Sequence, residues 1–68
     1  MFKEGDRVTA FFNADVGEVS VTLTSIGGEY VQGTVDPVPE GWEGSPAVGW
    51  KTSQFQEKVA AGDIYATP

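Results

Sequence analysis

The chain has 68 residues, ten acidic and four basic side chains, and neither cysteine nor histidine, for a net charge of −6. That length holds one domain, 1–68, of a size that buries only about 60% of its unfolded surface. The missing cysteine excludes a disulfide framework and a thiolate metal site, and the missing histidine removes the commonest general base and transition-metal ligand.

All four basic residues, Lys3, Arg7, Lys51 and Lys58, lie near the ends, where Glu4, Asp6, Glu57 and Asp63 balance them. Asp15, Glu18, Glu29, Asp36, Glu40 and Glu43 sit between Val8 and Trp50 with no Lys or Arg among them, so the net charge belongs to the middle of the chain. Val, Ile and Thr make up a quarter of the residues, against one Leu. Such β-branched side chains suit a pleated, half-buried surface.

The first strand is expected over Asp6–Phe12, with Val8, Ala10 and Phe12 on one face and Thr9 and Phe11 on the other. The adjacent phenylalanines put an aromatic on each face, one for the core and one needing a cover. Asn13–Gly17 reads as a turn. Glu18–Ile26 is the clearest strand: Val19, Val21 and Leu23 alternate with Ser20, Thr22 and Thr24, the pattern of a sheet with one wet face.

Gly27-Gly28 leads into a third strand, Tyr30–Asp36, with Val31, Gly33 and Val35 on one face. A two-residue loop would set apolar side chains opposite polar ones. A three-residue loop, Ile26-Gly27-Gly28, pairs Leu23 with Val31, Val21 with Gly33 and Val19 with Val35, so the apolar faces coincide. Such loops favour a left-handed glycine in last place, here Gly28. Gly33 in mid-strand predicts a bulge, a sharp bend or close packing of an aromatic over it.

Asp36–Gly49 carries three prolines and three glycines, which excludes helix and central strand. A short fourth strand is expected from near Ala47 to Thr52. Ser53-Gln54-Phe55-Gln56 has the form of a capping box, and Phe55 and Val59 fall on one helical face. The helix is expected over Ser53–Ala61, stopped by Gly62, with a last strand at Asp63–Thr67.

The opening Lys3-Glu4-Gly5-Asp6-Arg7-Val8 and the short helix ahead of the last strand resemble the small SH3-like barrels, Tudor-type and KOW-type domains included. The resemblance implies a mainly β fold: a small, five-stranded, partly open SH3-like barrel with one short helix before the last strand. An OB-like barrel is the alternative. The loop between the first two strands is only about five residues, and the acidic insertion lies between the third and fourth strands instead. Neither proline-rich peptide binding nor methyl-lysine recognition therefore transfers from the family.

No catalytic role is expected: the carboxylate pairs Asp15/Glu18 and Glu40/Glu43 read as solvated loop acids. No cofactor is expected, and Asp36, Glu40 and Glu43 match no hard-cation motif. The acidic balance disfavours direct nucleic-acid binding. No apolar run approaches the ~20 residues of a membrane span. The N-terminus lacks the layout of a secretory signal, so a cytoplasmic protein is expected.

Trp42, in a Pro/Gly loop between two glutamates, reads either as an interface anchor or as a lid over an open barrel end. Trp50 is expected in the core. Phe2, Phe11 and Tyr65 would form an aromatic patch if the termini pair, or a second minor core. The function expected is an acidic protein-interaction module meeting a basic protein surface with Trp42, Glu40, Glu43, Asp36 and Glu29. One version is a phage-encoded inhibitor. The alternative is a structural barrel that oligomerises or joins a larger assembly such as a virion.

Overall fold

A computed structural model describes residues 2–67. Five strands form one antiparallel sheet: β1 (Arg7–Asn13), β2 (Gly17–Ser25), β3 (Tyr30–Val35), β4 (Ala47–Lys51) and β5 (Ile64–Ala66). Their order is β4-β3-β2-β1-β5, so the sheet is not closed. One helix, α1 (Thr52–Ala61), joins the two edge strands and packs against β3, β4 and β5 on the open side. The fold is mainly β with a short helix before the last strand, as the sequence pattern predicts.

The period-2 pattern sets the core. Val8, Ala10, Val19, Val21, Leu23, Val31 and Val35 all point inward from the sheet, and Phe55 and Ile64 complete the buried set. Trp50 packs on this core half-buried, its ring 5.5 Å from that of Phe55. Phe2 meets Phe55 edge-on at 5.9 Å.

The β2–β3 hairpin keeps the expected faces but not the expected register. Val21 lies opposite Val35 and Leu23 opposite Gly33, two residues on from the pairing read in the sequence. Both registers put apolar against apolar, so parity cannot separate them. A bulge between Leu23 and Ser25 takes up one residue, and the loop runs over Ile26–Glu29. The left-handed glycine is therefore Gly27, at φ 104°, and not Gly28.

Two further local expectations are corrected. Neither phenylalanine of the Phe11-Phe12 pair enters the core: they are 53% and 37% exposed. The β1–β2 ladder shifts register between Phe11 and Asn13, which leaves Phe12 without a partner in it. The capping box at Ser53 does not form either. The helix starts at Thr52, capped by Lys51 in extended backbone with no side-chain bond. Thr52 is tied to the hairpin tip instead, its N–H donating to the Glu29 carbonyl (2.8 Å) and its hydroxyl to that of Gly28 (2.7 Å). Tertiary bonds thus do what a local cap would have done. At the other end Gly62 stops the helix as expected, at φ 84°, and the Asp63 N–H reaches back to the Lys58 carbonyl.

Gly33 sits opposite Leu23, beside the β2 bulge, and is closely packed as well, but not by an aromatic. A β-carbon there would stand 2.5 Å from Val21 Cγ1 and 2.8 Å from the Thr22 carbonyl oxygen. The group packed over it is thus an aliphatic side chain and the backbone of the paired strand.

Candidate functional site

The long loop between β3 and β4 is built on backbone bonds. Val35 N–H donates to the Pro46 carbonyl (2.9 Å), and Asp36 N–H to that of Ser20 (3.0 Å). The Arg7 guanidinium donates to the Asp36 carbonyl. Trp42 is fixed twice: its backbone N–H reaches the Pro39 carbonyl (3.1 Å) and its indole N–H the Ser45 carbonyl (3.2 Å). The left-handed Gly41 and Gly44 flank it.

The β1–β2 turn faces this loop and is equally tied. The Asn13 side-chain oxygen accepts from the Asp15 N–H (3.0 Å) and the Val16 N–H (2.8 Å). Phe12 and Trp42 meet across the gap, ring centroids 4.8 Å apart and planes tilted by 50°. Together these elements bound an open hollow of about 470 Å³, lined by Phe12, Asn13, Asp15, Val16, Trp42 and Glu43 among others. Trp42 is half-buried and, with Val16, rests on the margin of the core. It therefore caps one end of the sheet and forms one wall of the hollow.

The five residues singled out in the sequence do not all converge. Trp42 and Glu43 share the hollow. Asp36 and Glu40 are exposed elsewhere on the same loop. Glu29 is at the opposite end of β3, a six-residue strand about 20 Å long, where it lines a shallow recess with Tyr30, Lys51 and Thr52. Phe12, Asn13, Asp15, Val16 and Gly41 also line the hollow, and the sequence reading did not place them there. Among the described residues no three carboxylates approach closely enough to hold a metal ion.

The terminal aromatics also divide. Phe2 joins the core side, whereas Phe11 and Tyr65 stay exposed on the outer face. The Tyr65 hydroxyl donates to a Glu18 carboxylate oxygen at 2.6 Å. That bond to an anion, with some desolvation and the charge of Glu18, raises the Tyr65 pKa above the ordinary tyrosine value. Its stabilisation is complete below the unfolded tyrosine pKa near 10 and fades as pH rises through the higher folded value. Glu18→Gln is expected to bring the alkaline titration of the Tyr65 ring, followed by NMR, back toward lower pH. An unmoved midpoint would remove Glu18 as the cause.

A second concavity lies on the helix side. Phe2, Ile26, Val31, Phe55 and Val59 border an apolar groove of about 720 Å³. In the sequence its traces were the shared face of Phe55 and Val59 and the reading of Phe2 as part of a minor core between barrel and helix. Comparison with protein-family models, with curated proteins and with solved structures finds no match.

Proposed function

We propose that this SH3-like small barrel is a protein-interaction module that meets a basic protein surface with the Trp42 loop and the facing β1–β2 turn. The observation that carries this reading is the aromatic pair Phe12–Trp42 flanked by Asp15 and Glu43 at one hollow. It falls in the part of the chain that has no Lys or Arg. A half-buried aromatic held by backbone bonds is pre-ordered for contact, and the acidic rim speeds encounter with a positive partner.

The test separates a directed surface from mere net charge. Asp36→Asn/Glu40→Gln/Glu43→Gln and Glu4→Gln/Glu57→Gln/Asp63→Asn remove the same charge from different places. All six acids are exposed or nearly so, so both triple variants should fold. Calorimetric titration against lysozyme, a basic probe, should weaken for the loop variant far more than for the terminal one, and should weaken further with salt. Equal losses in the two variants would reduce the acidity to a solubility feature.

A second reading, oligomerisation, is favoured by β4, which is paired on one side only and so offers backbone groups to another strand. Sedimentation of the same samples over a range of concentration distinguishes it: a dimer unaffected by the loop substitutions favours the edge.

A further inference from the structure

We propose that the Phe12–Trp42 hollow holds one arginine side chain of the partner, its guanidinium lying on the aromatic pair between Asp15 and Glu43. This rests on the interaction reading above and names the group it recognises. The hollow brings an aromatic surface and two carboxylates from different loops to one place. The carboxylates are exposed and thus open to an incoming group.

The chemistry selects the cation. A bare metal ion would need several oxygen ligands, and among the described residues no such group of carboxylates exists. The Trp42 indole N–H is already used on Ser45, so the ring offers its surface and not a donor. Apolar ring surface beside anions suits a cation with a flat, weakly hydrated body. Guanidinium stacks on aromatic rings and can fork donors to carboxylates on two sides, whereas ammonium is a compact and strongly hydrated point charge. The walls are pre-set by the Asn13 bonds on the turn and the Trp42 bonds on the loop, so little ordering is left to oppose a small ligand.

The probe is acetyl-Gly-Arg-Gly-amide, compared with its citrulline and lysine counterparts, titrated into the 15N-labelled chain. The arginine peptide should shift the Trp42 indole and the Asp15 and Glu43 amides in a saturable way. The citrulline peptide should not, and the lysine peptide should bind more weakly. Asp15→Asn with Glu43→Gln should weaken the arginine peptide about tenfold, since charge-assisted bonds are lost. Equal shifts by citrulline or lysine, shifts centred on the helix-side groove, or an unchanged affinity in the double variant would each overturn the assignment. If lysozyme binding still depends on the loop acids while the arginine peptide leaves the hollow unmoved, the arginine site fails and the interaction reading stands. If neither probe depends on these residues, both fall.

Discussion

Gly33→Ala is expected to destabilise the fold by about 2 kcal/mol, within the usual range for an overpacked core. For a domain of this size that lowers the melting temperature by roughly 4–8 °C per kcal/mol. The added methyl would stand 2.5 Å from Val21 Cγ1 and 2.8 Å from the Thr22 carbonyl oxygen. Neither neighbour yields easily. Val21 is fully buried, and Thr22 is backbone in the central strand, paired on both sides. Gly33 is not among the glycines with positive φ, so alanine suits its backbone and gains about 0.4–1 kcal/mol from a stiffer unfolded chain. The steric cost outweighs that gain.

Pairing Gly33→Ala with Val21→Ala relieves the methyl contact and leaves the one to Thr22. The double variant should therefore remain less stable than the parent but show a coupling of about 1 kcal/mol against the sum of the singles. Urea unfolding of the three variants measures this. A Gly33→Ala protein that unfolds like the parent would mean the strands do not approach so closely.

The same hairpin shows what the sequence could and could not specify. Alternation decided which face of β2 and β3 is buried, and Val19, Val21, Leu23, Val31 and Val35 are all inward. It did not decide the register, because a shift of two residues preserves every inward side chain. The choice fell to a bulge near Thr24 and to the close fit of Gly33 beside β2. Bulges are one-residue irregularities set by distant packing, which is also why the Phe11-Phe12 pair was misplaced. The site was legible in part for a related reason. Trp42 stood out by its loop composition, and Glu43 by adjacency. Phe12, near the end of β1, and Asp15, in the turn that follows, stand about thirty positions earlier in the chain, and no local pattern tied them to Trp42.

The larger expected loss is at Phe55. It is the only buried residue of α1 and sits between Phe2 and Trp50, ring centroids 5.9 and 5.5 Å away. A ten-residue helix is too short to persist alone in water, and this one has neither a side-chain cap nor an acid in its first turn. Its order depends on tertiary contact, and Phe55 supplies the largest part of it. Phe→Ala in a core costs about 3–5 kcal/mol, comparable to the whole stability of a domain this small. Phe55→Ala should therefore lose its cooperative melt, together with the near-ultraviolet circular dichroism of the aromatic cluster. Phe55→Leu keeps apolar volume and should retain a cooperative transition at a lower temperature. The order of loss can be read by hydrogen exchange on Phe55→Leu. Amides of α1 and of β5, a three-residue strand that follows the helix, should lose protection before those of β2, which is paired on both sides. A Phe55→Ala chain melting within about 5 °C of the parent, roughly the effect of 1 kcal/mol, would show that the helix is held by something other than its one buried ring.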